Sequence, residues 1–367
     1  MKIKALISTF IIYSFTLSLA SLPGLAAQKK NAAQEKKAPQ KVYIPDKVKA
    51  VFQEGMQTRE AKLDIPFAIT KHLYLPAREN VHSIFFFKIK NADLGFSSAA
   101  AAVELKDKKE KEEKIFESST ELTPPKLQAK NHVFLQFKQL DGDFTKEIYM
   151  PFGLEVDSDS YEPEKEEIYS TGYPLPPGNY LLSMAITSQK LEKIGTQYFE
   201  FSLPSAASFT ERLETTPIFF NKKINQMSAP ESTTNIHKGF FTYSILQIEP
   251  NLDCIFCKGD NLDIFLFIYG AQPNPDDPQK VSIEITYSVL KGEEAVIRYA
   301  PQKYDSLLVS QPLPLTRTVL IKTTKEGKTE ERKETKDLEP GTYILNIDIK
   351  DTISGKTLKK TVDFEFK

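Results

Sequence analysis

A short block of sequence occurs twice in this chain of 367 residues, and it constrains the fold more than any other feature. Residues 175–186 read LPPGNYLLSMAI, and residues 338–349 read LEPGTYILNIDI, so the two copies align without a gap. The match resumes at FEF, in 199–201 and again in 364–366. Because an internal repeat fixes the architecture before any local feature does, we expect two copies of one β domain.

Each copy of the block reads as the start of a β-hairpin. Proline presets φ and glycine accepts a positive φ, so Pro-Gly forms a turn. After the tyrosine, apolar residues alternate with others, which is typical of a strand with one buried face. These apolar positions are Leu182, Met184 and Ile186 in the first copy and Leu345, Ile347 and Ile349 in the second. A second strand, ending at Phe201 or Phe366, completes the predicted hairpin.

The block resembles the tyrosine corner of immunoglobulin-like and fibronectin-III-like sandwiches. In those folds the hydroxyl of a tyrosine near the start of a strand bonds back to nearby backbone. The resemblance gives this structural role to Gly178 with Tyr180 and to Gly341 with Tyr343. We therefore expect an all-β fold of two tandem antiparallel sandwiches of this kind, preceded by a signal peptide.

A wider stretch carries a second resemblance. It comprises PIFF at 217–220, residues 240–250, and KGDNL at 258–262 ahead of an aromatic strand that ends at residue 270. This stretch is similar to a bacterial module that occurs as paired β-sandwich extensions in secreted proteins, often beside von Willebrand A-like domains. The resemblance covers 215–367 well and 60–205 loosely. It implies the fold alone and transfers no catalytic residue.

Fainter matches extend the repeat to domain size. For example, IFFFKI at 84–89 corresponds to IFLFI at 264–268. We predict one β-sandwich over 48–207 and a second over 208–367, which are sizes usual for single domains.

Two charged stretches interrupt the β pattern. Residues 99–116 form a charged insertion in the first sandwich, and residues 322–336 read as two strand ends joined by a Glu-Gly-Lys turn. We interpret both as excursions into solvent, because runs of charge are usually solvated.

The N-terminus is typical of a secretory signal peptide. Basic residues lie within the first four positions, and residues 5–27 then carry no charge. Pro23-Gly24 would break a helix, and small residues follow it. We predict a signal over 1–26 that is cleaved after Ala26, with an uncleaved anchor as the alternative.

The segment after the signal has the composition of a leader. Residues 28–41 hold almost no large apolar side chains and cannot bury enough surface to fold. We predict a flexible basic leader over 27–47. The mature protein is expected in the periplasm or outside the cell, without stable membrane insertion after signal cleavage.

Composition favours an all-β protein and limits its partners. The chain holds 25 Phe and 15 Tyr but no Trp, and such aromatic residues fit pleated, half-buried strands. Twenty-three prolines indicate many turns. The formal net charge of −1 gives no electrostatic reason to expect nucleic acid as a partner.

Three consecutive phenylalanines, at positions 85, 86 and 87, bear on whether one face or both faces of their strand are buried. On a strand, Phe86 points away from its two neighbours. We expect both faces of this strand to be covered, as at a domain interface, because large apolar residues are usually buried.

The chain has two cysteines, Cys254 and Cys257. In an exported protein this pair predicts a local disulfide, with free thiols, metal ligation and redox catalysis as the alternatives. Zinc normally takes four ligands, and no second Cys or His pair stands nearby in the sequence.

No catalytic motif stands out, so we expect a protein without enzymatic activity and without a cofactor. The four histidines, at positions 72, 82, 132 and 237, form no zincin pattern and are expected at surface or hydrogen-bonded positions. Asp157 and Asp159 lie in an acidic loop whose spacing suits Ca²⁺, although a solvated loop is the preferred interpretation.

The sequence predicts a non-catalytic extracytoplasmic binding or scaffold protein. Its sandwich loops or strand edges would contact another envelope or secreted protein. A carbohydrate- or cell-wall-binding module is the first alternative and would need exposed aromatic side chains. A redox or metal-dependent protein that uses the cysteine pair is the second.

Overall fold

The computed structural model describes residues 44–98, 125–325 and 328–367, with the backbone alone for 318–332. Strands account for 59% of the residues and helices for 8%, which confirms the all-β prediction. The described residues all belong to one compact unit. The predicted signal, most of the leader and the charged insertion at 99–116 lie outside the described residues.

The first half of the described chain contains one α-helix and eight strands. The helix is α1 (Asp46–Thr58). The strands are β1 (Phe67–Ala77), β2 (Asn80–Lys90), β3 (Ser97–Ser98), β4 (Lys126–Gln139), β5 (Thr145–Asp157), β6 (Glu166–Leu175), β7 (Gly178–Ser188) and β8 (Ile194–Leu203). Short 3-10 helices cover Asn91–Leu94, Ser158–Ser160 and Ala206–Phe209.

The second half of the described chain consists of strands. They are β9 (Glu214–Thr215), β10 (Phe219–Gln226), β11 (His237–Lys238), β12 (Phe241–Tyr243), β13 (Leu246–Pro250), β14 (Ile255–Phe256), β15 (Asn261–Tyr269), β16 (Pro273–Asn274), β17 (Asp277–Val281), β18 (Ile283–Lys291), β19 (Glu294–Arg298), β20 (Gln302–Tyr304), β21 (Leu308–Pro314), β22 (Thr316–Lys325), β23 (Lys328–Asp337), β24 (Gly341–Asp351) and β25 (Thr357–Phe366).

Four sheets make up the body of the protein. In the first half, β1-β2-β6-β11 form the first inner sheet, and β3, β4, β5, β7 and β8 form the first outer sheet, with β5 and β7 on opposite edges of β4. In the second half, β12-β13-β10-β15-β21, with β9 on β15, form the second inner sheet. The second outer sheet has the order β14-β25-β24-β18-β19, with β20 on β18.

The repeated sequence blocks form hairpins, as predicted. Tyr180 of β7 lies opposite Phe201 of β8, and Tyr343 of β24 lies opposite Phe364 of β25. The charged stretch at 322–336 belongs to a third hairpin, in which β22 and β23 pair from Thr316–Asp337 to Lys325–Lys328.

Each half buries a core between its own inner and outer sheets. Phe85 and Phe87 of β2 pack in the first of these cores together with Tyr180 of β7. Tyr343 of β24 and Phe220 of β10 pack in the second. Alternate residues of each strand supply these cores, which is the pattern expected for packed sheets.

A third core joins the two inner sheets face to face. The first inner sheet contributes Leu73, Leu75, Ile84 and Phe86, and the second contributes Phe219, Phe241, Ile248 and Phe265. The Phe86 side chain is fully buried, and its ring centroid lies 5.9 Å from that of Phe241. The expectation that both faces of β2 are covered is therefore confirmed. We call this cluster the interface core.

Helix α1 was not predicted. It packs on the face of the first outer sheet that points away from the core of the first half. Val48 and Phe52 of the helix, with Ile44 just before it, pack against Phe134 of β4 and Ala185 of β7. The spacing of Val48 and Phe52 brings apolar side chains to one face of a helix. The helix starts inside the segment that we predicted as a leader, so the last residues of that segment belong to the folded body.

A glycine allows this helix to approach the sheet. A side chain at Gly55 would meet the Tyr198 hydroxyl at 1.9 Å, and that hydroxyl donates a hydrogen bond to the carbonyl of Val51. Within the described residues, no helix combines the length and the apolar composition needed to cross a bilayer.

Residues 227–240, which we call the strap, connect β10 to β12 and cross back onto the first half. Their strand β11 pairs with Tyr169 and Ser170 of β6. The Gly239 amide donates to the Ile168 carbonyl at 2.9 Å, and the Ser170 hydroxyl donates to the Phe240 carbonyl. The second half thus supplies the edge strand of the first inner sheet.

Replacing Phe86 by alanine tests the interface core. We expect F86A to lower the free energy of unfolding by about 3–5 kcal/mol, since a large cavity would open in a fully buried cluster. Leu140→Ala is the control, because Leu140 is 48% exposed and its loss should change the free energy by less than about 0.5 kcal/mol. Urea denaturation measures both. Equal effects of the two substitutions would show that the interface core contributes nothing.

Candidate functional site

A cleft of about 320 Å³ lies where the strap meets the two inner sheets. Its walls come from β2 and β6 on one side and from the strap and β12 on the other. The side chains used below are His82, Ser170, Glu231, Asn235, His237 and Thr242. We call it the junction cleft. Among the described clefts, this one is lined by the most side chains that can form hydrogen bonds. Binding sites usually combine a concave surface with such groups.

The carboxylate of Glu231 is the centre of a hydrogen-bond cluster in this cleft. Its Oε2 accepts from Asn235 Nδ2 at 3.3 Å, from His237 Nε2 at 3.1 Å and from Thr242 Oγ1 at 3.2 Å. The described hydrogen bonds of this carboxylate all use Oε2. The strap and β12 therefore hold one carboxylate in a fixed orientation.

His237 is positioned from two directions. Its ring lies 4.6 Å from the ring of Phe240, and only 12% of its side chain is exposed. Since β11 fixes the backbone at His237 against β6, the imidazole has little freedom to turn away from Glu231.

His82 forms part of the opposite wall and is held neutral. Burial lowers the pKa of His82 to about 4, although a backbone hydrogen bond to Thr242 opposes the shift. Its Nε2 also stands close to the backbone of Gly172, where a β-carbon would lie 2.9 Å away. An uncharged imidazole therefore borders the cleft at neutral pH.

A shallower cleft of about 760 Å³ continues from the junction cleft. The two share His82, Pro174 and Ser244, and the second extends to Arg78 and Glu79 in the turn between β1 and β2. Together they form a groove along one end of the interface core.

The polar side chains of the cleft bear on what it can do chemically. A serine or threonine nucleophile needs a hydrogen-bonded base. Among the described hydrogen bonds, none joins His82 or His237 to a hydroxyl group. His237 and Glu231 form a polar pair that can orient a ligand by hydrogen bonding and charge.

The residues predicted as tyrosine corners lie at the starts of β7 and β24. The Tyr180 hydroxyl donates to the Pro176 carbonyl at 2.8 Å, and the Tyr343 hydroxyl donates to the Glu339 carbonyl at 2.6 Å. Gly178 and Gly341 have φ of 149° and 150°, a region that favours glycine. These four residues stabilise strand starts and do not line the junction cleft.

Cys254 and Cys257 flank β14 and are free thiols in this structure. Ile255 and Phe256 pair in parallel with Glu365 and Phe366 of β25 and are extended. Three extended residue steps separate the two cysteine Cα atoms by about 10 Å. A disulfide allows less than about 7 Å, so the predicted bond requires β14 to leave β25.

The two thiols differ in environment. Cys257 is exposed, whereas Cys254 is half-buried and packs against the core of the second half. Desolvation raises the pKa of Cys254. A thiol of that kind is less reactive than one in a polar, positively charged setting.

The acidic residues proposed for calcium are separated from the cleft. Asp157 ends β5, and Asp159 lies in the following 3-10 helix. Asp159 accepts a hydrogen bond from Ser158. Over the described part of the chain, no group of three or more His, Cys, Asp or Glu side chains is arranged to hold a metal ion.

Two histidines lie outside the cleft and make polar contacts. His72 stacks on Phe85 with ring centroids 4.7 Å apart, and its Nε2 contacts Ser83 Oγ at 2.7 Å. Burial lowers the pKa of His72 to about 4. His132 Nδ1 contacts the Tyr149 hydroxyl at 3.0 Å.

Sequence reasoning missed the cleft residues. Glu231, Asn235 and Thr242 belong to no motif, and they meet His82 only because the strap folds back onto β6. The polar run PESTTN at 230–235 was a signal for a loop but not for a site. No protein-family model matches the chain, and no curated protein matches its sequence.

The two low histidine pKa values predict loss of stability in acid. The folded pKa of His72 and His82 is about 4 and the unfolded value is near 6.5. Their contribution is fully present above pH 6.5 and is lost as the pH falls towards 4. Protonation of each histidine should lower the free energy of unfolding by about 3 kcal/mol across that window.

His82→Gln tests this contribution, since it removes one titrating group at similar size. The free energy of unfolding of H82Q should change less between pH 7 and pH 4 than that of the wild type. Leu140→Ala removes no titrating group, so it serves as the control and should keep the wild-type slope. A wild-type slope in H82Q would show that His82 titrates normally in the folded state.

Oxidation of the cysteine pair has a local structural consequence. The amides of Glu365 and Lys367 donate to the carbonyls of Cys254 and Phe256. If oxidised glutathione closes the disulfide, these two amides should exchange their hydrogens faster, because β14 must leave β25. Hydrogen exchange read by NMR measures this, with Cys254→Ser as the control. A closed disulfide with unchanged protection would contradict the argument.

Proposed function

We propose that this chain is a non-catalytic extracytoplasmic binding or scaffold protein that grips a protein partner at the junction cleft. The observation that carries the proposal is the position of the junction cleft, whose walls belong to two inner sheets that are packed against each other. The interface core joins those sheets through fully buried side chains such as Phe86 and Ile248. A preorganised site binds with a smaller loss of conformational freedom.

The proposal includes two immunoglobulin-like or fibronectin-III-like sandwiches related by an internal repeat. Its support is the strand order: β1-β2-β6 and β5-β4-β7-β8 in one half, β10-β15-β21 and β19-β18-β24-β25 in the other. The seven strands that correspond between the halves are β1, β2, β4, β5, β6, β7 and β8 in the first and β10, β15, β18, β19, β21, β24 and β25 in the second. Among these seven, the first, second and fifth share one sheet, and the third, sixth and seventh share the other. Immunoglobulin-type sandwiches follow this rule.

The tyrosine corners support the same assignment. In each half the tyrosine lies near the start of the sixth of these seven corresponding strands, and its hydroxyl donates to the carbonyl four residues back. Export is proposed from the N-terminal sequence alone, and the cleavage after Ala26 and the periplasmic or secreted location belong to this proposal.

Two of the free strand edges are poorly suited to strand addition. The free edge of β5 carries Pro151 and charged residues, and the free edge of β21 carries Pro312 and Pro314. Proline and charge on an edge strand discourage pairing with another chain. The partner is therefore proposed to contact loops and the junction groove.

The two alternatives draw little support from the described residues. A glycan platform needs exposed aromatic rings, and Tyr149, at 43% exposure, is the large aromatic side chain that stands out at the described surface. The redox alternative needs neighbouring sulfur atoms, whereas β14 holds the two cysteines apart.

The experiment is a crosslinking pull-down from the cell envelope of the source organism, with the chain from residue 27 as bait. Removing the second half would uncover the interface core, so the full mature chain is used. Ser232→Trp fills the junction cleft, and Thr361→Trp on the exposed face of β25 is the control. We expect one dominant protein with the wild type and T361W, and its loss with S232W.

Other outcomes would overturn the proposal. Equal recovery with S232W would exclude the cleft as the binding site. Recovery of glycan fragments alone would favour the wall-binding alternative. Both variants must keep the wild-type unfolding curve for the comparison to count.

A further inference from the structure

We propose that the junction cleft receives an arginine side chain of the partner, with Glu231 as its counter-ion. This inference rests on the proposed function, since it names the chemistry of the group that the cleft recognises. Four observations lead to it.

The first is that the Glu231 carboxylate has no lysine or arginine beside it. Its described partners are an amide, a hydroxyl and an imidazole, and the imidazole is charged only when protonated. Other carboxylates near the strap are paired differently. Glu167 of β6 lies 3.1 Å from both Lys165 and Lys238, so the lysine of β11 is used there and not at Glu231.

The second is that one carboxylate oxygen is available. The three donors all reach Oε2, and Oε1 takes part in no hydrogen bond among the described residues. A carboxylate accepts about four hydrogen bonds in total, so capacity remains for a ligand with several donors. The existing bonds fix the carboxylate plane, which lowers the cost of binding.

The third observation is the sign of the charge on the residues that line the junction cleft. Among the described residues that line the junction cleft, none is lysine or arginine, and Glu231 is the one carboxylate. His82 is held neutral there by burial. Glu231 lies at the surface but its side chain is only 29% exposed, so water screens its charge in part. The cleft therefore favours a cation over a neutral group or an anion.

The fourth is size and shape. A cleft of about 320 Å³ is at the small end for ligand pockets, which suits one long side chain better than an extended ligand. The adjoining cleft of about 760 Å³ gives room for the flanking backbone. A guanidinium presents several donors in a planar fork, whereas an ammonium is a strongly hydrated point charge. The Oε1 atom of Glu231 and the hydroxyl oxygens of the strap can accept hydrogen bonds from the several N–H groups of a guanidinium.

The test uses two small probes of nearly equal shape. They are N-acetyl-arginine N-methylamide and the corresponding citrulline compound, which replaces the guanidinium by a neutral urea. NMR titration of the folded full chain measures the dissociation constant of each. We expect the arginine probe to bind about tenfold more tightly, because a hydrogen bond to a charged group contributes about 1.5 kcal/mol or more.

Two variants locate the effect. Glu231→Gln keeps the shape and removes the charge, and it should abolish the preference for arginine over citrulline. Glu200→Gln is the matched control, since Glu200 is exposed and pairs with Arg59 on the other side of the first half. It should leave the preference unchanged. Equal binding of the two probes by the wild type, or a preference that survives in E231Q, would overturn the inference.

The outcomes separate this inference from the proposed function. If S232W loses the partner while the arginine preference is absent, the binding role stands and the arginine chemistry is wrong. If the preference depends on Glu231 but no partner is recovered, the cleft recognises a guanidinium and the scaffold role is wrong.

Discussion

The burial of β2 on both faces is the constraint on which the rest of the structure depends. Phe85 and Phe87 fill the core of the first half, and Phe86 between them fills the interface core. A central strand of this kind cannot tolerate water on either side, because each phenylalanine loses its packing if one face is bared. The second inner sheet is therefore as necessary to the first half as its own outer sheet. The stacking of sheets, the path of the strap and the position of the junction cleft all follow.

Much of the fold could be predicted from the sequence, because the signals were local. The alternation after Tyr180 and Tyr343 predicted two hairpins, and the structure has them in register. Three phenylalanines in a row indicated a strand with two buried faces. Helix α1 was missed, although Val48, Phe52 and Gly55 form its buried face at helical spacing, since the segment before it reads as a solvated leader. Its stability comes from packing on the outer sheet, which no local pattern contains.

The candidate site could not be predicted, because its residues meet through long-range pairing. His82 and Glu231 are far apart in sequence, and their proximity depends on β11 joining the edge of β6. No motif encodes such a crossing. The cysteine pair shows the reverse difficulty, since its spacing suggested a disulfide that an extended β14 does not permit. In that case backbone conformation decides the chemistry, and spacing in the sequence does not report it.

The way the strap completes the first inner sheet has a consequence for how this protein is made. The first half leaves the ribosome, and any export channel, before residues 227–240 exist outside it. Until then β6 lacks its neighbour β11, and Leu73, Leu75 and Phe86 have nothing to cover them. A chain halted at that stage exposes an apolar sheet face with an open edge, which is a surface that aggregates. During synthesis, therefore, the second half covers a face and an edge that the first half cannot cover by itself.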